Sequence, residues 1–156
     1  MATATVLVIL AAAVAHFILG AIWYSKSLFG KPWLALLGKS EDQCKEEMKN
    51  IKPMVVTFFC YVASATVLFG LIKAVRHGIC EPGVKCLGMN GSCVVAPGSF
   101  LCGMVIAIAV YMGISGAVTL SNYMFEGKSL KLYFLNFFYN LIGFALMGAI
   151  LGTYIR

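Results

Sequence analysis

Polar side chains within long apolar stretches are the first candidates for chemistry in this sequence. His16 lies in the apolar stretch 3–24, where it could hydrogen-bond across a helix contact or carry protons, since free imidazole ionises near neutral pH. Asn136 and Asn140 are one helical turn apart in a later stretch, and Asn122 lies near the end of another. Amides at such positions typically hold helices together. For these four residues the sequence therefore favours helix pairing over a proton or ion path.

The residue combinations that enzymes commonly use are missing from the sequence. The only other histidine is His77, and there is no Ser-His-Asp set, phosphate-binding loop, HExxH motif or pair of acids within the apolar stretches. We therefore expect a protein that is not an enzyme and that has neither a metal site nor a cofactor. A lipid-modifying enzyme is the least favoured alternative.

Four cysteines lie in or beside one Gly-rich segment: Cys80, Cys86, Cys93 and Cys102. Thiols grouped in a short exposed segment are typical of disulfides in an oxidising compartment, and four thiols allow three pairings. Zinc binding is less favoured because no Cys-x-x-Cys spacing occurs. The segment also contains the sequon 90–92, which makes Asn90 a candidate for N-glycosylation. Of the two remaining cysteines, Cys60 is predicted to be a buried apolar side chain and Cys44 a free thiol.

Four stretches are long and apolar enough to cross a bilayer. A crossing helix needs about 20 apolar residues, and the stretches 3–24, 53–75, 98–123 and 130–154 meet this requirement with no charge in their middles. Hydrophobic residues make up 61% of the 156 residues and charged residues 12%, which excludes an ordinary soluble surface. Lipid offers no partners to backbone N–H and C=O groups, so each stretch must be helical. The predicted fold is all-α, with one four-helix membrane domain over residues 1–156.

The distribution of lysine and arginine predicts how the chain threads through the membrane. Eight of the 12 basic residues lie in or beside the loops after the first and third stretches, and basic residues stay on the cytoplasmic side. We expect loops one and three in the cytoplasm, with both termini and the cysteine-rich loop extracellular or lumenal. Such a loop suits the secretory pathway or plasma membrane of a eukaryote. The first stretch is predicted to remain as a helix, because it has no basic residue at its start and ends in Trp23 and Tyr24, an interfacial anchor, in place of a small-residue cleavage site.

Five residues are expected at the membrane surface: Trp23, Tyr24, Trp33, Glu126 and Lys128. Aromatic rings and lysines are enriched at the headgroup level. Trp33 belongs to the segment 29–37, which interleaves aromatics and leucines and should lie in the headgroup layer. Glu126 and Lys128 should form a weak surface ion pair.

The second half of the first loop is predicted to be a charged helix over 41–50. Ser40 and Gln43 have the spacing of a capping box, which marks the start of such a helix. Its lysines could attract anionic headgroups, so membrane lipids are the expected partners. The net charge of +6 is explained by membrane insertion and requires no nucleic acid.

Glycines recur along the third and fourth stretches: Gly103, Gly113, Gly116, Gly143, Gly148 and Gly152. Small residues at such intervals let helices approach closely, either within one bundle or between copies, and the sequence does not separate these two options. Aromatic residues spread around the fourth stretch, so at least one aromatic face should meet lipid or a partner subunit. We expect a homo-oligomer or a larger membrane complex.

Two motifs carry a resemblance to a known family. The residues HFILGAIWYS at 16–25, continuing through LFGKPW at 28–33, resemble the opening signature of the family called domain of unknown function 1761. The residues NYMFEGKS at 122–129 are similar to the family's segment between its third and fourth helices. The resemblance covers nearly the whole chain, except the cysteine-rich loop. It implies a four-helix membrane fold and contributes no reaction.

Two functions from different classes are consistent with these features. The first is a structural or accessory membrane subunit whose helices pack with copies of itself or with a larger complex. The second is a small channel or transporter in which His16, Asn136 and Asn140 line a polar path, formed between subunits because four short helices seldom enclose one alone. The sequence favours the first by a narrow margin.

Overall fold

The computed structural model describes residues 2–79 and 100–155, which form seven α-helices and one π-helical turn. In chain order these are α1 (Ala2–Trp23), α2 (Gly30–Leu37), α3 (Glu41–Met48), α4 (Lys52–Ile79), α5 (Phe100–Val110), the π turn (Tyr111–Gly116), α6 (Ala117–Phe125) and α7 (Leu130–Tyr154). No strand occurs among the described residues, so the all-α prediction is confirmed.

Within the part of the chain that the structure describes, four helical segments have the length and composition to cross a membrane: Thr3–Trp23, Lys52–Val75, Phe100–Phe125 and Leu130–Tyr154. Their bounds lie within a few residues of the predicted stretches. The third segment differs in kind, because the π turn separates α5 from α6 where the sequence predicted one regular helix. Large apolar side chains cover the outside of these segments, as a surface in contact with lipid requires. They include Phe134 and Phe138, so the exposed aromatic face predicted on α7 is confirmed.

Helix α7 is the central element of the bundle and packs against α5, α1 and α4. Helices α1 and α7 are antiparallel, and a side-chain hydrogen bond joins them near each end. Thr5 and the Tyr154 hydroxyl are 3.3 Å apart at one end, and the Tyr24 hydroxyl donates to Asn136 Oδ1 at 2.8 Å at the other. We call the end with Tyr24, where α4 and α7 begin, the loop-one end, and the opposite end the far end.

Glycines bring α5 and α7 into close contact. Gly103 of α5 lies directly against Gly148 of α7, and a methyl group on either residue would overlap the backbone of the other. Gly152 continues the same contact one turn along α7. Since lipid provides no hydrophobic driving force between helices, such close backbone packing is a main source of their association. The sequence did not show whether the glycines make contacts within one bundle or between copies. Gly103, Gly148 and Gly152 make theirs within one protomer.

The far half of the bundle has an apolar core. Its members are Ala12, Ala65, Leu68, Ile72, Ala107, Met147, Leu151 and Ile155, which are buried and packed together. Small alanines alternate here with long aliphatic side chains, which lets the four membrane-crossing segments pack closely. The loop-one half contains most of the polar and aromatic contacts instead, so the two halves of the bundle differ in chemistry.

The first loop contains the two predicted segments, α2 and α3. Helix α2 ends at Leu37 and is capped by Gly38, whose φ of 66° is the left-handed conformation that glycine adopts without strain. The capping box is confirmed: Gln43 N–H donates to Ser40 Oγ at 3.2 Å, and Ser40 N–H donates to Gln43 Oε1 at 2.9 Å. Helix α3 ends at Met48, two residues before the predicted end.

Candidate functional site

His16 is the buried polar residue at the centre of the bundle. Its side chain is 0% exposed, and its ring stacks on Tyr61 of α4 with 4.1 Å between ring centroids. Tyr139 and Phe144 of α7 approach it at 5.2 and 5.8 Å. Gly143 lies so close that a methyl group there would overlap the imidazole. Neither ring nitrogen has a hydrogen-bond partner among the described residues, so His16 packs here as an aromatic ring.

A pair of tyrosines extends the aromatic packing around His16. The hydroxyls of Tyr61 and Tyr139 are 2.7 Å apart, so one donates a hydrogen bond to the other inside the bundle. Gly20 of α1 lies against the Tyr139 hydroxyl, and a side chain there would displace it. The pair therefore joins α4 to α7 beside His16. Because Gly20 has no side chain, α1 can pack closely against this pair.

Asn136 connects three helices near the loop-one end. Its side-chain oxygen accepts from the Tyr24 hydroxyl at 2.8 Å, just beyond the end of α1, and its amide donates to the Tyr123 hydroxyl of α6 at 3.0 Å. Burial raises the pKa of the Tyr24 hydroxyl above its ordinary value, so this group stays a hydrogen-bond donor. Asn136 is therefore satisfied within the protomer and fixes the ends of α1 and α6 on α7.

A polar groove lies beside this network, between the π turn, α6 and α7. It encloses about 210 Å³, and its polar lining consists of Tyr111, Ser115, Thr119, Tyr133, Asn136 and Asn140. The Tyr133 hydroxyl donates to the Gly116 carbonyl at 3.1 Å, at the end of the π turn. Wide turns of this kind are rare and frequently lie at functional sites. We call this feature the polar groove.

The polar groove contains polar atoms that have no hydrogen-bond partner within the described part of the protein. The Asn140 amide donates to the Asn136 carbonyl at 2.9 Å, but its side-chain oxygen accepts no hydrogen bond. The hydroxyls of Ser115 and Thr119 also make none among the described residues. By contrast, Ser64 and Thr66 of α4 each donate to the carbonyl four residues earlier, at 2.9 and 2.8 Å. The polar groove thus presents unused donors and acceptors at membrane depth.

The structure separates the polar residues that the sequence grouped. Asn136 and Asn140 both line the polar groove, whereas His16 is fully enclosed and does not line it. Phe144 lines the groove and also contacts the His16 ring. Asn122 is exposed at the end of α6. Ser115 and Thr119 were missed, although two hydroxyls four residues apart in an apolar stretch are visible in the sequence and share one helix face.

The predicted interfacial residues cluster at the loop-one end. Trp23 packs on Phe29 with ring centroids 4.5 Å apart, and Tyr24 packs on Trp33 at 5.0 Å. The Trp23 indole N–H is buried without a partner among the described residues. The predicted surface pair of Glu126 and Lys128 is present, and Glu126 raises the pKa of the lysine through a hydrogen bond and its charge.

The cysteine predictions are tested only in part. Cys80, Cys86, Cys93 and the glycosylation candidate Asn90 lie outside the described residues, and Cys102 lies in the first turn of α5. Cys44 is a free thiol, as predicted. Cys60 was predicted to be buried and is exposed on the outside of α4, because the inner face of α4 is formed instead by Tyr61, Ala65 and Leu68.

The sequence model of one protein family, described as "Protein of unknown function (DUF1761)", matches residues 7–152. The chain belongs to the DUF1761 family. The match contains every membrane-crossing segment almost completely, so the resemblance carried by the motifs at 16–33 and 122–129 is confirmed. No curated protein and no solved structure matches the chain significantly. Membership in the DUF1761 family supports a multi-pass membrane protein and assigns no reaction.

Proposed function

We propose that this DUF1761 protein is a membrane-embedded accessory subunit that associates with a second copy of itself through the polar groove. The observation that carries the proposal is the set of unpartnered polar atoms on Ser115, Thr119 and Asn140. Thr119 is exposed and lies six residues before the end of α6, which is about 9 Å along the helix. At that depth an uncovered hydroxyl would face hydrocarbon.

Polar groups at this depth are costly unless something binds them. Leaving a hydroxyl or amide without a hydrogen bond in an apolar medium costs roughly 2 kcal/mol or more. Residues of this type inside membranes typically face another helix or a water-filled cavity. A second protein surface that covers the polar groove would therefore lower the free energy of the assembly.

A second copy of the same chain matches the chemistry of the polar groove. The residues that line it include no charged side chain, so two copies would not repel each other there. Serine and threonine hydroxyls both donate and accept, and the Asn140 oxygen accepts. A surface with both functions can pair with itself about a twofold axis.

The experiment removes the two hydroxyls without changing the shape of the helix. Ser115→Ala/Thr119→Val should weaken dimerisation in lipid bilayers by roughly 8- to 60-fold, since the dimer would lose two to four interhelical hydrogen bonds that average about 0.6 kcal/mol each. Energy transfer between dye-labelled copies, measured over a range of protein-to-lipid ratios, gives the dimerisation constant.

The matched control is Ser64→Ala/Thr66→Val, which removes two hydroxyls that already bond to the α4 backbone. It should dimerise like the wild type. A wild-type protein that stays monomeric at every ratio would refute the proposal, as would equal dimerisation of the two double variants.

A second candidate function is a polar path between copies, because a paired polar groove could hold water instead of closing. The far half of the protomer is closed by the apolar core, so a path through one described protomer is not available in this conformation. Proton flux into liposomes, followed with an enclosed pH-sensitive dye, separates the candidates. A path predicts flux that is lost in Asn140→Leu, whereas packing predicts permeability equal to that of protein-free liposomes.

The expectation that the protein is not an enzyme stays a prediction. Its basis is the sequence, in which the usual catalytic combinations are missing. The accessory role proposed here requires no catalytic group.

A further inference from the structure

A second cavity lies at the loop-one end, between the end of α1, helices α2 and α3, and the first turn of α4. It encloses about 350 Å³. Its walls are mostly apolar and include Trp33, Leu34 and Met54. Met54 lies where the second membrane-crossing segment begins, so the cavity is at the depth of lipid headgroups. We call it the interfacial cavity.

The rim of the interfacial cavity carries net positive charge. Lys26, Lys31 and Lys45 line it, and the acid among its lining residues is Glu47. Glu47 is already bound by Lys39, with 2.7 Å between the charged atoms, so its charge is largely compensated. Lys45 pairs with Asp42 at 3.0 Å, whereas Lys31 has no carboxylate partner among the described residues. Cationic side chains therefore stand beside an apolar wall.

The cavity is held open by local packing. Trp33 is fixed against Tyr24, which in turn bonds to Asn136 in α7. Gly30 approaches the carbonyls of Tyr24 and Ser25 so closely that no side chain would fit, which turns the chain from α1 into α2. The wall formed by α2 is thus tied to the bundle itself.

We propose that the interfacial cavity binds one anionic phospholipid from the adjoining leaflet. The phosphate would lie at Lys31 and Lys45, and the first part of an acyl chain would lie against Trp33 and Met54. An anionic phospholipid supplies negative charge and an apolar chain together at this depth, which matches both parts of the cavity. A zwitterionic lipid lacks the net charge, and free phosphate would leave the apolar wall in water. The proposal does not depend on self-association through the polar groove.

The test uses the tryptophan in the cavity wall. The chain has two tryptophans, so Trp23→Phe leaves Trp33 as the only one. In detergent micelles, phosphatidylglycerol brominated on its acyl chains should quench Trp33 at a lower mole fraction than phosphatidylcholine brominated in the same way. The half-quenching fraction is the mole fraction of lipid that gives half of the maximal quenching. Adding Lys31→Gln/Lys45→Gln should raise this fraction for phosphatidylglycerol about 25-fold, since each lysine near an anionic lipid contributes about fivefold.

The matched control is Lys49→Gln/Lys128→Gln, which removes equal charge outside the cavity. Lys45 and Lys49 each pair with an acid three residues earlier on α3, at 3.0 and 2.6 Å, but only Lys45 lines the cavity. The control should change the half-quenching fraction less than about threefold, since exposed charges are screened by salt. Equal losses in the two double variants would overturn the proposal and indicate general surface attraction.

A second measurement avoids the Trp23→Phe substitution. Native mass spectrometry of the unsubstituted protein, with equal amounts of phosphatidylglycerol and phosphatidylcholine, should show one retained phosphatidylglycerol. Equal retention of the two lipids, or displacement of phosphatidylglycerol by inorganic phosphate at the same concentration, would refute the proposal.

Discussion

At the scale of single residues, His16 shows how a polar side chain can serve packing. The ring is enclosed by Tyr61, Tyr139 and Phe144 and touches the backbone at Gly143. Its nitrogens have no partner among the described residues, and the aromatic contacts, at about 0.5–1.5 kcal/mol for each pair of rings, act against the cost of burying them. Gly143 is required because any side chain there would occupy the space of the imidazole.

Gly143→Ala should lower the stability of the bundle by about 1–3 kcal/mol, the usual cost of overpacking a filled interior. The loss should become smaller in a His16→Ala background, because the methyl group then enters the space left by the ring. Thermal unfolding of the four proteins in detergent micelles, arranged as a double-mutant cycle, measures this coupling. Strictly additive losses would show that the two residues are not in contact.

At the scale of the elements, the contact of α5 with α7 depends on glycines rather than on large side chains. Gly103 and Gly148 lie backbone to backbone, which gives many short contacts along two long helices. The polar groove lies further along α7 toward the loop-one end, where the π turn follows α5. There the Tyr133 hydroxyl donates to the Gly116 carbonyl. Close packing and the groove are thus neighbouring parts of one interface.

Gly148→Ala should destabilise the protein by about 1–3 kcal/mol, because its methyl group would overlap the α5 backbone. Gly70→Ala is the matched control, since Gly70 is a helix-interior glycine on α4 with open space around it. That substitution should be neutral or stabilise by up to about 1 kcal/mol through higher helix propensity. The denaturant midpoint in micelles measures both, and equal midpoints would place the close contact elsewhere.

At the scale of the whole molecule, the two halves of the bundle have different roles. The far half is an apolar core, whereas the loop-one half contains the Asn136 network, the polar groove and the interfacial cavity. Most of the described lysines and the polar sites therefore lie on the same side of the protein. The charge distribution predicts that this side is cytoplasmic.

A cysteine placed directly after α3 tests that orientation. Lys49 is exposed, so Lys49→Cys should add a reactive thiol. In intact cells a membrane-impermeant maleimide should label this variant no more than the wild type, and extra label should appear only after permeabilisation. Extra label in intact cells would place loop one outside and reverse the predicted topology.

The sequence by itself determined the class of the fold. Uninterrupted apolar stretches of about 20 residues leave the backbone no partners except its own, so the four membrane-crossing segments could be predicted to within a few residues. The capping box of Ser40 and Gln43 was equally predictable, because both partners lie within one turn of the chain. The motifs at 16–33 and 122–129 were sufficient to indicate the family.

The tertiary structure decided which polar groups meet. Tyr24 and Asn136 are 112 residues apart in sequence, and Tyr61 and Tyr139 are 78 apart, so no local pattern could pair them. The separation of His16 from Asn140 and the exposure of Cys60 also depend on the rotation of each helix against its neighbours. In a chain that is apolar on every side, hydrophobic periodicity does not mark the inner face, and only the close contacts between helices fix that rotation.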